Sequence, residues 1–451
     1  MTRHVVRTLC VGLLVASAGC VETDRTFPQP PSLDAELRQS LQQWGIVAIN
    51  PQPAQDPSLV VLGQALFFDK ELSGNRDIAC ATCHNPPTAM GDGQSLAVGT
   101  GGTGIGPART LGPGRQFVPR NAPTLMNVAL GLSYAFWDGR VSGFSGFFQT
   151  PADTALPAGL PNILAAQAMF PVTNRTEMRG EPGDTDVFGN PNELAQYTDS
   201  QWADIWRAVM LRLLAFQAYK AKFAAAFPAV PVNQLGFQHA AIAIAAFETQ
   251  ALTKIDTPFD RYLRRNDDAM SQEEKRGALL FFGKATCSSC HNGPQLGAGN
   301  FVNVGVPQIG PGVGPELPLD LGRGALPNNE FYRFAFRVAP LRNVELTAPY
   351  FHDGAYPTLD AVVQHYNDVR LALPGYDTTQ LTPDVLATYH GDPVTIASVL
   401  ERLDFRLQQP LKLTETERSE LVAFLKALTD PSARNLSALV PSAVPSGLPV
   451  P

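Results

Sequence analysis

Cys80-Ala81-Thr82-Cys83-His84 and Cys287-Ser288-Ser289-Cys290-His291 repeat one five-residue pattern, CxxCH. Two thiols on one turn can each form a thioether with a vinyl group of a single haem, and the adjacent imidazole then reaches the iron. A redox dithiol needs no histidine, and a structural zinc site needs four ligands in one place. The two separated motifs therefore read as two covalent haem c attachment sites, with His84 and His291 as proximal iron ligands. Each follows the end of an amphipathic helix: Gly63-Gln64-Ala65-Leu66-Phe67-Phe68 before Cys80, and Gly277-Ala278-Leu279-Leu280-Phe281-Phe282 before Cys287. This echo predicts two related haem-binding units.

The 451 residues exceed one ordinary core and suit two or three compact units. Hydrophobic residues make up 44% and charged ones 17%, while 39 Pro and 38 Gly imply many ordered loops. The expected fold is mainly α: two cytochrome c-like haem domains with long ordered loops. A basic start (Arg3, His4, Arg7), the apolar run Leu9 to Ala16 and then Ser17-Ala18-Gly19-Cys20 have the layout of a secretory signal over residues 1–19. This predicts export to the periplasm. Small residues before Cys20 also fit a lipoprotein cleavage box, which would make Cys20 a lipid anchor; Ser17 stands where that box usually has Leu, and a plain signal peptide is the alternative.

Cleavage there removes Arg3 and Arg7 and no acid, leaving 32 basic against 41 acidic side chains, so nucleic acid is not an expected partner. Residues 20–33 read as a polar, Pro-rich linker. An N-terminal haem unit is expected over 34–255 and a C-terminal one over 256–413. A final helix, 414–430, opens with the capping box Thr414/Glu417 and is expected to join the first unit; a Pro/Ser-rich tail covers 431–451. Trp202, Trp206 and His239 in the middle helical stretch read as packing residues. The Gly-rich segment 99–116 lacks a following GK[ST] and reads as a long surface or haem-covering loop.

A haem protein carries electrons or catalyses according to its sixth ligand and distal pocket. No histidine follows His84 until His239, so an open first haem is expected, and Met90 beside Gly91-Asp92-Gly93 reads as packing. Met270 is the last of seven methionines, so a Met ligand for the second haem would have to precede its own CxxCH. Tyr366, His352, His365 and His390 are the local candidates, and composition does not choose among them.

Further segments carry a resemblance: Leu62-Gly63-Gln64-Ala65-Leu66-Phe67-Phe68, Arg120-Asn121-Ala122-Pro123-Thr124-Leu125, Phe136-Trp137-Asp138-Gly139-Arg140, the stretch Gln167 to Met178, Leu341-Arg342-Asn343-Val344, and Thr347-Ala348-Pro349-Tyr350-Phe351-His352-Asp353-Gly354. With both CxxCH motifs, the chain over nearly all of residues 55–430 resembles the bacterial di-haem cytochrome c peroxidase family, including its MauG-like branch. The resemblance implies that Gln167, Pro171 and Glu177 stand over the N-terminal haem, Glu177 moving the protons of peroxide. It also implies that Trp137 relays electrons between the haems. Asn121 and the carbonyls of Thr347 and Pro349 would hold one calcium ion. Tyr366 falls where ordinary members carry an axial Met and MauG-like members carry Tyr. Ala285 replaces the Trp that MauG uses before its second CxxCH, so MauG's partner is not carried over.

The implied function is reduction of hydrogen peroxide, with electrons entering through the C-terminal haem from a small periplasmic donor protein. The alternatives are a MauG-like enzyme that oxidises residues of a partner protein through high-valent haem iron, and a non-enzymatic di-haem carrier. A homodimer is a further expectation.

Overall fold

A computed structural model describes Met1 and residues 31–451 apart from 132, 145 and 298. The expected signal segment and Cys20 lie outside the described residues. No helix among the described residues is long and apolar enough to cross a membrane.

The fold is mainly helical. Helix α1 (Leu33–Gln43) is followed by α2 (Pro57–Phe68), which starts at the Asp56 cap with Pro57 in its first turn. The one-turn helix α3 is Cys80–Cys83, and α4 is Ile163–Ala168. The middle helical stretch resolves into α5 (Trp202–Ala215), α6 (Gln217–Ala226) and α7 (Phe237–Leu252). Then come α8 (Pro258–Leu263), α9 (Gln272–Phe282), α10 (Leu359–Asn367) and a terminal helix, Glu415–Lys426. The expected capping box opens that last helix: Thr414 Oγ1 accepts from the Glu417 amide at 3.2 Å, and the Glu417 carboxylate accepts from the Thr414 amide at 2.8 Å.

The strands are short. Strands β1 (Tyr134–Ala135), β2 (Val141–Phe144) and β3 (Phe147–Gln149) form an antiparallel meander. Strands β4 (Phe301–Val302) and β5 (Phe336–Arg337) pair antiparallel in the second half, Val302 opposite Phe336.

Two main apolar cores divide the helices. The first gathers α2, α4, α5, α6 and α7 around Phe67, Phe68, Tyr219, Phe223 and Phe247. The second gathers α1, α8, α9, α10 and the terminal helix around Phe259, Phe281, Phe282 and Phe424.

The chain ends cross over, which corrects two boundaries. The terminal helix packs on α9, not on the first unit: the Glu420 carbonyl lies against Gly277, and Phe424 contacts Phe281 edge to face at 5.2 Å. Helix α1 also belongs with the second core, where Leu37 and Leu41 are buried and Asp34 pairs with Lys275 at 2.7 Å. Conversely the tail closes on the first core. Gln64 donates to the Leu439 carbonyl at 2.9 Å, and the Ser446 hydroxyl donates to Asp69 at 2.6 Å.

The halves also meet through buried polar groups. Arg120 bonds Asp138 at 2.6 Å and reaches into the second half to grip Asp320 with two nitrogens at 2.6 and 2.8 Å. The Asn121 amide donates to the His352 carbonyl at 2.7 Å.

Candidate functional site

The two CxxCH segments have the same local construction. Helix α3 begins twelve residues after α2 ends, across a 3-10 turn at Lys70–Leu72, and the second motif begins five residues after α9 ends. All four cysteines are unpaired, and burial pushes the Cys80 and Cys287 thiols up to about 12. His84 Nδ1 lies 3.2 Å from the Met90 carbonyl, and His291 Nδ1 lies 3.1 Å from the Leu296 carbonyl. An imidazole that donates from Nδ1 to a backbone oxygen has its Nε2 lone pair free for a metal. Burial also lowers the pKa of both rings, that of His291 to about 4, so both are neutral near pH 7. The residues fit two c-type haems. Met90 is fully buried with its carbonyl committed to His84, in agreement with a packing role.

Glu177 comes to the first motif through a π-helical turn, Arg175–Arg179, whose Asn174 cap accepts from the Glu177 amide at 3.0 Å. Such turns are rare and recur at functional sites. The Gly-rich loop backs this turn. The Thr100 amide donates to the Glu177 carbonyl at 2.9 Å, and a Cβ on Gly99 would lie 1.8 Å from the Thr176 carbonyl oxygen. Burial raises the Glu177 pKa, partly opposed by the charge of Arg140. A Glu177 charge would in turn raise the pKa of both Cys80 and Cys83, which puts this carboxyl within electrostatic reach of the first haem attachment.

Gln167, half-buried on α4, and Pro171 lie on the segment leading into that turn. Trp206 anchors it: its indole donates to the Met169 carbonyl at 2.6 Å, and its ring packs against Phe170. His239 closes the N-terminus of α7, accepting from the Gly236 amide at 3.0 Å. A buried acid that sequence reasoning missed is Glu248 on α7, 4% exposed with Oε2 unpartnered. Burial pushes its pKa up to about 8, and its charge is felt at Cys80. An acid inside the apolar run Ala245-Ala246-Phe247-Glu248-Thr249 was the available signal.

The second motif opens on a largely apolar cavity lined by Cys287, Cys290, His291 and Tyr366. Burial raises the Tyr366 phenol well above its ordinary pKa. The neighbouring His365 is spent elsewhere: Nδ1 is 2.9 Å from the Tyr356 hydroxyl and Nε2 is 2.9 Å from the Val304 carbonyl. His390 does not line the cavity, whereas His352 does, stacked on Phe336 at 3.4 Å. Trp137, Asn121, Thr347 and Pro349 line the same cavity. The Trp137 indole donates to the Asn121 carbonyl at 3.0 Å, and the Asn121 side chain donates to the Gln94 carbonyl at 2.6 Å.

Residues 57–268 match the family model described as di-haem cytochrome c peroxidase. The methylamine utilization protein MauG of Methylorubrum extorquens is 30% identical over 386 residues, covering 85% of this chain and 82% of that one. The cytochrome c551 peroxidase of Pseudomonas aeruginosa is 32% identical over 359 residues, covering 79% and 82%. A crystal structure of a MauG-like protein associated with microbial copper homeostasis shares the fold with a TM-score of 0.58 at 24% identity, over 86% of this chain and 94% of that one.

The chain belongs to the di-haem cytochrome c peroxidase family. It is an oxidoreductase of that type, and its cofactors are two haem c groups.

Proposed function

We propose that the protein reduces hydrogen peroxide at the haem held by Cys80, Cys83 and His84, with electrons entering through the haem held by Cys287, Cys290 and His291. The carrying observation is Glu177: a carboxyl in a specialised turn, with a raised pKa, in electrostatic reach of the first haem's cysteines. Peroxide needs two electrons and two protons to become two waters. The haems supply the redox chemistry when bound. Glu177 would take a proton from peroxide and return it to the leaving oxygen, while Gln167 would orient peroxide by hydrogen bonds and Pro171 would limit access. An electron carrier has no use for such a group, which disfavours the non-enzymatic reading.

Trp137 would relay electrons between the two haems, and Tyr366 would hold the second haem's iron together with His291. Asn121 with the carbonyls of Thr347 and Pro349 forms a calcium site of oxygen donors. The working location is the periplasm, with Cys20 as a lipid anchor and a small donor protein as partner. Tyr366 in the second cavity, together with the likeness to MauG, favours one second reading: oxidation of residues in a partner protein.

One experiment separates the two. Purified di-haem protein is given peroxide with a reduced small c-type cytochrome, and co-purifying proteins are weighed by mass spectrometry before and after peroxide. Rapid oxidation of two cytochromes per peroxide supports the peroxidase reading; covalent mass changes in a partner without cytochrome turnover support the second. Failure of both removes this assignment.

A further inference from the structure

We propose that Arg337 is the carboxylate anchor of the second haem: its guanidinium binds one of the cofactor's propionates and holds that edge against the backbone of Trp137. The inference rests on the reading that the second CxxCH carries a haem.

The pairing of β4 with β5 brings Arg337 to the cavity of His291 and Tyr366. Its main-chain amide donates to the Trp137 carbonyl at 2.8 Å, and its Nε donates to the Phe136 carbonyl at 3.2 Å. The two terminal nitrogens make no hydrogen bond among the described residues. Two other guanidinium groups line this cavity, and both are already neutralised. Arg342 pairs with Asp260 at 2.9 Å and Arg406 with Asp404 at 2.7 Å. Among the described residues, Arg337 alone of the three has no carboxylate partner. Burial lowers its pKa to about 10, with no acid to offset the loss of water, so it remains charged at neutral pH. A half-buried cation on a largely apolar cavity wall carries a cost while it has no anion. An incoming carboxylate would remove that cost through paired charge-assisted hydrogen bonds.

The direction of the cofactor agrees. The thioethers fix the vinyl edge of a c-type haem at Cys287 and Cys290, and the two propionates leave from the opposite edge. Arg406 sits at the vinyl edge, where it donates to the Ser289 carbonyl at 2.9 Å and its charge is felt at Cys290. Arg337 is held instead on the backbone of Phe136 and Trp137. That places its guanidinium on the side of Trp137, and the anchored propionate on the path toward the first unit.

The test uses the holoprotein as wild type, Arg337→Met and Arg337→Lys, each shown to carry two covalent haems. A variant with Cys287 and Cys290 changed to Ala identifies which signals belong to the second haem. Resonance Raman propionate-bending bands and reduction potentials are recorded without peroxide, so absence of peroxidase turnover leaves the test intact. A cation beside the haem favours the reduced form, so Arg337→Met should lower the second haem's potential and shift one of its propionate bands. Lys should restore part of both, and the first haem should not move. Unchanged bands and potential in a fully loaded Arg337→Met protein would overturn the assignment, as would changes confined to the first haem. If the Met variant fails to load, the Lys variant decides: a shifted propionate band supports the anchor, and an unshifted one overturns it.

Discussion

A Cβ added to Gly277 would lie 1.8 Å from the carbonyl oxygen of Glu420, so α9 and the terminal helix meet backbone to backbone. Gly63 makes the matching contact in the first unit, 1.9 Å from the Ala243 carbonyl oxygen between α2 and α7. Both crossings sit just before a CxxCH motif. The expected outcome for Gly277→Ala is net destabilisation. Helix propensity gains about 1 kcal/mol, but separating two packed backbones typically costs about 1–3 kcal/mol and here involves no side chain that can swing aside. Thermal unfolding followed at the second haem's absorption should show the loss before the first haem responds.

Arg120 joins the halves through Asp138 and Asp320, all three nearly inaccessible to solvent. Replacing it by Met leaves the buried Asp320 carboxylate without a cation, while Asp138 keeps Arg140 at 3.0 Å, a change that costs about 3–5 kcal/mol. Burial raises the Asp138 pKa, but the charges of Arg140 and Arg120 more than reverse this and hold it well below the usual carboxylate range. A carboxylate with a depressed folded pKa stabilises above its unfolded value of about 4, and that stability is lost as pH falls through the folded value. Arg120→Met should therefore unfold at lower denaturant concentration at pH 7 and at a higher pH on acidification. An unchanged acid midpoint would mean that the cluster does not join the halves energetically.

The parts legible in the sequence were those whose chemistry is local. Two CxxCH motifs and the Gly63/Gly277 echo are written in adjacent residues, as is the Thr414/Glu417 cap. The destination of the terminal helix was not legible, because an amphipathic stripe states that a face is buried and not against what. Glu248 and Arg337 escaped for a related reason: an isolated charge reveals its lack of a partner only in three dimensions. His365 and Tyr366 are neighbours in sequence, yet the turn of α10 directs one ring to Tyr356 and Val304 and the other to the second cavity.

Glu177→Gln keeps the shape of the side chain and removes its ability to accept and return a proton. Both haems should remain attached, and reaction with peroxide should slow by about 100-fold to 10,000-fold, the usual cost of losing a positioned acid-base group. Stopped-flow absorbance under saturating electron donor reads this directly, provided that peroxide cleavage limits the rate. A rate equal to wild type would remove Glu177 from the reaction and leave Glu248 as the next acid to test, since it too acts on Cys80.

Tyr366 carries the sharpest prediction, because its rivals are now few. No methionine follows Met270, and both His365 ring nitrogens already have partners at 2.9 Å. His390 does not line the cavity, while His352, 3% exposed and stacked on Phe336, does. Burial raises the phenol's pKa well above its ordinary value, so the free side chain is neutral, and loss of its proton would accompany iron binding. An anionic oxygen ligand stabilises the ferric state, and Tyr366→Met should therefore raise the second haem's reduction potential. Tyr366→Phe should open that haem or admit another ligand. The ferric wild type, with no histidine between His84 and His239 to close the first haem, should react with peroxide without prior reduction. Low-temperature paramagnetic resonance distinguishes the ligands: a His/Tyr signal should vanish in Tyr366→Phe, whereas a bis-histidine signal that survives the substitution would give the position to His352 and remove the observation that favours partner-protein oxidation.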